Sequence, residues 1–319
     1  MAEELSLASI KEMKKADFVK AFKNKAAWKK AKVFLCCFFI ISCNEILPEN
    51  MPNITLDAKP ISTWGCPEDY TPSDLIQVSA SQWTVFNSKN YYLSLQEANA
   101  MQQNTVAGID ELVRIEKIKD MYLFVSYDSK SRTNKAWTNS TISLEGKQDL
   151  ALDDPADILY SEQTKKLYWI HSSRTMFVYD FDTKTSTPFL PNQTASDFCI
   201  SGNGLFLAFQ DKDDNVHVVN LSNNEIVEDY AAQESQTRNL VGLTNEGKVL
   251  VVNLHIAEKN SSESYKNQVV VLDKANTNPI LNINSGWARL SGTNLVAWVD
   301  SGNDKKEFQL FDLKEALKY

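Results

Sequence analysis

Residues able to do chemistry are few in this chain, and they are scattered. There are three histidines, His171, His217 and His255, each in a different segment. No two have metal-ligand spacing and no cysteine pair accompanies them, so they compose no zinc-type ligand set. His217 alternates within Val216-His-Val-Val-Asn-Leu221 and reads as a packed or solvent-facing strand residue. Asp211-Lys-Asp-Asp-Asn215 offers carboxylates at alternate positions, which would suit a hard cation. Val216 and Ser222 stand where a calcium-binding EF-hand loop needs Gly and Glu, and a hairpin tip explains the run without an ion. Asp149, Asp153 and Asp154 precede Pro155 and read as a turn. With ten glycines there is no glycine-rich phosphate loop, and no nucleophile elbow occurs. No residue is nominated as catalytic, cofactor-binding or metal-ligating. The expectation is a protein that is not an enzyme and carries no cofactor.

Five cysteines make no disulfide framework in 319 residues. Cys36, Cys37 and Cys43 share one apolar run, while Cys66 and Cys199 lie elsewhere, either paired or separate. Asn-x-Ser/Thr sites at Asn53, Asn139, Asn192, Asn220 and Asn260 would be glycan acceptors in a secreted chain. In so Asn- and Ser-rich a sequence, several arise by chance.

The elements that position these residues are short strands. Asp157-Ile-Leu-Tyr160, Leu167-Tyr-Trp-Ile170 and Met176-Phe-Val-Tyr-Asp-Phe181 are followed by Asp182–Ser186. A second run repeats the plan with Asp197-Phe-Cys-Ile200, Leu205-Phe-Leu-Ala-Phe209, Val216–Leu221 and Ile226–Tyr230. β-Branched and aromatic residues fill the strands, and turn formers separate them. Corresponding strands recur about every 40 residues, the period of four-stranded propeller blades. One such meander cannot bury both faces and needs copies of itself as neighbours.

Further units begin at Leu75, Leu112, Asn239 and Trp287. In the second of the six, Ser140–Leu144 is expected to be the third strand. Bulky aromatics recur in second strands at Trp83, Tyr122, Trp169, Phe206 and Trp298, where they would fill the wedge between blades. The expected fold is all-β, a six- or seven-bladed β-propeller over residues 73–319, with a basic helical N-terminal arm. A seventh blade would draw on residues 45–72 and the C-terminus.

Ahead of the repeats lie three segments. Residues 1–32 carry nine lysines against four acids, a net of +5, and their apolar spacing fits a basic amphipathic helix or a solvated arm. Weak contact with a membrane or other anionic surface would run through this arm. Residues 33–44 hold the apolar run Val33–Cys43, too short to span a bilayer; it reads as a signal, a buried strand or a gene-model artefact. Residues 45–72 are Pro-containing, a linker or a closing strand, with Ile54-Thr-Leu56 as the candidate strand. Since the whole chain is at −8, residues 33–319 carry −13. An acidic body disfavours nucleic-acid phosphates as a partner and suits a basic protein surface.

The repeats resemble a degenerate WD40-type propeller, without its Gly-His or Trp-Asp signatures. A closer likeness spans residues 151–273. Asp180-Phe-Asp-Thr-Lys-Thr-Ser186, Asp197-Phe, Leu205-Phe-Leu-Ala and the hairpin Val249–Leu254, interrupted by Ala257–Asn267, resemble the N-terminal propeller of fungal cytoplasmic-face nucleoporins. That resemblance implies a scaffold at the cytoplasmic face of the nuclear pore, docking a DEAD-box RNA helicase in mRNA export. The family's Phe-Gly repeats and coiled coil are missing here, and no binding residue transfers. The alternative is a secreted or membrane-tethered, lipoprotein-like propeller that binds a ligand or acts as a hydrolase, with Val33–Cys43 as its signal.

Overall fold

A computed structural model describes residues 58–317, apart from 88, 90, 97–99, 107, 233–235, 256–266, 273–276, 284–285 and 303–304. The expected arm (1–32), the apolar run (33–43), Ile54–Leu56 and the loop Ala257–Asn267, save Asn267 itself, lie outside the described residues.

Strand β1 is Ser62–Gly65. Five consecutive four-stranded antiparallel meanders follow. Blade 1 comprises β2 (Pro72–Ser79), β3 (Gln82–Asn87), β4 (Tyr91–Gln96) and β5 (Ala100–Thr105). Blade 2 comprises β6 (Glu111–Ile118), β7 (Met121–Asp128), β8 (Thr133–Asn139) and β9 (Gln148–Leu150). Blade 3 comprises β10 (Pro155–Ser161), β11 (Lys166–His171), β12 (Met176–Asp180) and β13 (Thr185–Pro188). In blade 4 the strands are β14 (Asp197–Ile200), β15 (Phe206–Gln210), β16 (Val216–Asn220) and β17 (Glu225–Tyr230). In blade 5 they are β18 (Gln236–Leu243), β19 (Val249–His255), β20 (Asn267–Leu272) and β21 (Thr277–Ile283). Blade 6 has β22 (Trp287–Ser291), β23 (Asn294–Gly302) and β24 (Lys305–Asp312), and takes β1 as its outer strand.

The ring therefore closes by joining the N-terminal strand to the C-terminal sheet, with Trp64 opposite Phe308. This settles the blade number at six: Ser62–Gly65 completes the sixth sheet rather than starting a seventh. The third strand of blade 2 is also corrected. Thr133–Asn139 pairs with β7, while Ser140–Glu145 forms the turn beyond it. Its polar ends masked it, but Ala136 and Trp137 fill the core with 2% and 1% exposure.

The second strands read as unbroken apolar runs because both their faces are covered. Along β11, Leu167 and Trp169 pack toward blade 2, against Leu123, Val125 and Ala136. Tyr168 and Ile170 pack the other way, against Phe198, Leu207 and Phe209 of blade 4. The period-2 alternation is thus split between two interfaces. Blade 4 repeats the device: Leu207 and Phe209 face blade 3, and Ala208 faces Leu240 and Val251 of blade 5. Each hydrophobic cluster spans two neighbouring blades, and the one between blades 6 and 1 joins Trp64 and Phe308 to Trp83 and Leu93. Burial fades outward. Every residue of β13 is exposed, which is why such fourth strands leave a weak trace in the sequence.

Candidate functional site

Six innermost strands, β2, β6, β10, β14, β18 and β22, surround a central cavity of about 420 Å³. A first strand in a ring turns one side-chain row inward, and here that row is charged. Arg114 Nε lies 2.9 Å from Asp74 Oδ2 and 3.3 Å from Asp157 Oδ1. The Asp74 side chain is only 3% exposed, and its Oδ2 accepts no hydrogen bond among the described residues despite the ion pair. Asp157 and Asp197 each accept the backbone N–H of the next residue, at 2.8 Å. Arg289 Nη1 donates to the carbonyls of Leu240 and Ala288, both at 3.1 Å, and its guanidinium lies 5.6 Å from the Trp287 ring centre. Glu116 and Cys199 line the same cavity.

Burial sets the charge states. It pushes Glu116 up to about 8, against the pull of Arg114 and helped by Asp74 and Asp157. It pushes Asp157 up to about 7, with Arg114 opposing and the Asp197 and Asp74 carboxylates reinforcing. Asp197 is raised by burial too, in spite of Arg289 and Arg114. Burial works against the Arg114 charge, but Asp157 and Asp74 outweigh it and hold the guanidinium ionised. The Cys199 thiol is pushed up by burial and by Asp197, which disfavours the thiolate form.

Polar stitches ring the cavity mouth on the face that carries the first-to-second and third-to-fourth strand turns. Lys117 Nζ donates to Val78 O at 2.6 Å, and Lys119 pairs with Glu162 at 2.9 Å. Ser161 Oγ donates to Gly204 O at 2.8 Å, and Asn245 Oδ1 accepts the Asn203 N–H at 2.8 Å. Ser291 Oγ donates to Gln77 Oε1 at 2.7 Å, tying blade 6 to blade 1. Two glycines are required by this close approach. Gly204 has φ +69°, and a Cβ there would sit 2.8 Å from Ser161 Oγ. At Gly242, next to the bulge at Val241 of β18, a Cβ would meet Leu290 Cβ at 2.5 Å. The opposite face carries the second-to-third strand turns and the blade-to-blade loops. Glu68, Asp69, Asp110 and Asp153 stand exposed on those loops, and Glu111 is exposed at the adjoining start of β6.

The residues singled out in the sequence fall elsewhere. His171 Nδ1 accepts the Ser173 N–H at 2.9 Å in a tight turn. His217 stacks on Phe209 at 4.7 Å, with Nδ1 2.5 Å from Asp229 Oδ1 and Nε2 3.3 Å from Asp211 Oδ2. His255 ends β19, across the ladder from Gln236. Asp211 occupies a hairpin tip, where Oδ1 accepts the N–H groups of Asp213 and Asn215. Asp154 Oδ1 accepts the Asn134 N–H at 2.7 Å. Asp149 ends in an ion pair with Lys147. Cys66 and Cys199 are free thiols on different blades. Asn139 is buried, and its amide donates to the carbonyls of Ser143 and Glu145, so it is closed to a glycan; Asn192 is exposed. The inner charged row went unnoticed in the sequence. Its trace was there, an Asp near the start of the first strand at Asp74, Asp157 and Asp197, with Arg114 in the remaining early unit.

No protein-family model matches the chain, and no curated protein matches it in sequence. Among solved structures it is similar to the WD40 β-propeller domain of Doa1, at 11% identity and TM-score 0.51, over 81% of this chain and 98% of that one. It also matches a mitotic checkpoint complex structure at 10% identity and TM-score 0.46, over 72% of this chain and 73% of that one. At such identities a likeness speaks to fold. This chain is a WD40-like β-propeller with six blades.

Proposed function

We propose that this propeller is a non-enzymatic interaction scaffold whose loop-bearing face docks a protein partner with a basic surface. The observation that carries the reading is the placement of Glu68, Asp69, Asp110 and Asp153, exposed on blade-to-blade loops of one face, with Glu111 exposed at the adjoining start of β6. A rigid ring that holds loops at fixed positions is the usual support for recognition. The −13 carried by residues 33–319 adds long-range steering of a cationic partner. The likeness of residues 151–273 to fungal cytoplasmic-face nucleoporins supports a finer version. In it the partner is a DEAD-box RNA helicase engaged through its RNA-binding side, in mRNA export at the nuclear pore.

The test is competition. A purified DEAD-box helicase is titrated with the full chain, with and without single-stranded RNA. The reading expects complex formation that RNA displaces. It expects weaker binding after Glu68→Lys, Asp69→Lys and Asp110→Lys together. Complexes indifferent to both RNA and the charge reversal overturn the helicase version. Tight, salt-sensitive RNA binding by a fragment of residues 45–319 overturns the acidic scaffold itself, because such binding needs a basic stripe.

A further inference from the structure

The outer strand of a blade turns one row of backbone N–H and C=O groups outward, a template for pairing that proteins ordinarily blunt. Five of the six outer strands here are blunted. β1, β9 and β13 are short, at four, three and four residues, and β13 ends on Pro188. β17 carries Glu225, Glu228 and Asp229, and its ladder shifts register between Val218 and Val219. β21 has Pro279 within it, and its ladder shifts between Val269 and Val270. β5 has none of these devices. Ala100-Met-Gln-Gln-Asn-Thr105 is uncharged and free of proline, and all six residues pair with β4 in unbroken register. Among the described residues no strand lies beyond it. All but Asn104 are exposed, Met101 to 38%.

We infer that the open edge of β5 takes an extended segment of a protein partner as a fifth, antiparallel strand, uncharged where it pairs and led at its N-terminal end by Lys or Arg. Main-chain hydrogen bonds give such strand addition its affinity, and neighbouring side chains give it specificity. Direction and charge follow from the two ends of β5. Thr105 pairs with Tyr91, whose ring lies 5.4 Å from that of Tyr70, just after the exposed Glu68 and Asp69. Asp110 and Glu111 follow Thr105 along the chain, both exposed. These four acids outweigh Lys89 on the β3–β4 turn. The other end of β5 is uncharged among the described residues: Ala100 pairs with Gln96, and Gln96 with Gln82. A strand antiparallel to β5 begins beside Thr105, so its cationic lead lies over the acids and its uncharged run meets β5. An apolar side chain of that run gains a cross-strand contact with Met101. The cationic lead rests on the acidic-docking reading above; the strand pairing does not.

Fluorescence anisotropy on the full chain tests this with a labelled, blocked peptide, Lys-Lys-Thr-Val-Thr-Val-Thr-Tyr. One control is N-methylated at every residue of the pairing run, which removes its N–H donors and keeps its side chains and charge. A second control replaces the two lysines by Glu. The parent peptide is expected to bind saturably with Kd below about 1 mM, and each control about tenfold or more weakly. On the protein, Gln102→Pro and Gln103→Pro are compared, because of two neighbouring strand residues one N–H faces β4 and the other the open edge. The variant that keeps the parent Tm is expected to lose peptide binding. Should both variants lose stability, the N-methylated peptide carries the test alone. An N-methylated peptide that binds as tightly as the parent overturns strand addition while leaving the acidic docking reading intact. Equal binding of the Glu-led peptide, no saturable binding below about 1 mM, or a stable proline variant that still binds overturns the inference as well. So does sedimentation of a parent dimer that the stable variant makes monomeric, which would give the edge to a second copy of this chain.

Discussion

Emptying the Trp169 site interrogates the blade packing most directly. The indole is 2% exposed, in the cluster that welds blade 2 to blade 3. It stacks on Phe177 with ring centres 4.6 Å apart and planes at 17°, and its Nε1 donates to Ser186 Oγ at 3.3 Å. A fully buried aromatic of this size removes about 150–250 Å² from water, or roughly 4–6 kcal/mol at about 25 cal/mol per Å². Alanine keeps part of that, and the walls relax partially, so Trp169→Ala is expected to destabilise by about 3–5 kcal/mol. In a domain of this size each kcal/mol moves Tm by about 2–4 °C, so the shift is roughly 6–20 °C. Urea unfolding of the full chain, followed by fluorescence and circular dichroism together, measures it. A double-mutant cycle with Phe177→Ala should return about 0.5–1.5 kcal/mol of coupling from the stacked pair. A loss under about 1 kcal/mol, where a packed interior demands several, would refute the placement of Trp169 between blades.

Ring closure gives a second expectation. Trp64→Ala removes a 1%-exposed side chain that donates to Gln96 O across the seam, and should cost about 3–5 kcal/mol while making the first proteolytic cut fall near β1; unchanged proteolysis would argue against a seam there. Arg114→Met leaves Asp74 and Asp157 buried without their cation, a loss of about 3–5 kcal/mol at pH 8 that should shrink at pH 6, where Asp157 can protonate. Stability of the parent chain should itself depend on pH. Glu116 and Asp157 have folded-state values raised to about 8 and about 7, so the folded chain holds protons that the unfolded chain has lost. Stability from these groups is fully present below their unfolded values and declines as pH rises through the folded ones. Carboxylates held low, such as Asp110 and Asp180, are already ionised in both states between pH 6 and 8 and contribute no slope there. Calorimetric Tm should therefore fall from pH 6 to pH 8, and fall less in Glu116→Gln; equal slopes in the two proteins would contradict the cavity electrostatics.

The repeat was legible because blade strands bury both faces. Leu167-Tyr-Trp-Ile170 and Val249-Leu-Val-Val252 stay apolar without interruption, as an interior strand must. Blade number was not legible, because closure borrows β1 from residues 62–65, and four residues of Ser-Thr-Trp-Gly carry no period. Blade 2 misled for a related reason. β8 opens with Thr133-Asn-Lys135, partly or wholly exposed, so its buried end at Ala136–Asn139 was hidden behind polar residues. The cavity acids escaped notice because each sits alone at the edge of an apolar run, Asp74, Asp157 and Asp197 at its start and Glu116 at its end. Only the packing of consecutive blades brings Asp74, Arg114 and Asp157, which are 40 or more residues apart in sequence, within 3.3 Å contacts.

One association measurement bears most directly on the scaffold reading. The full chain and its Glu68→Lys, Asp69→Lys, Asp110→Lys variant are immobilised, and the on-rate of a purified DEAD-box helicase is followed as salt rises. The Debye length shortens from about 30 Å at 0.01 M to about 8 Å at 0.15 M over that titration. The account expects fast association by the parent chain at low salt, slowing steeply as salt is added, and a slower, flatter response from the variant. On-rates that are equal in the two proteins and insensitive to salt would contradict docking of a basic partner through these acidic loops.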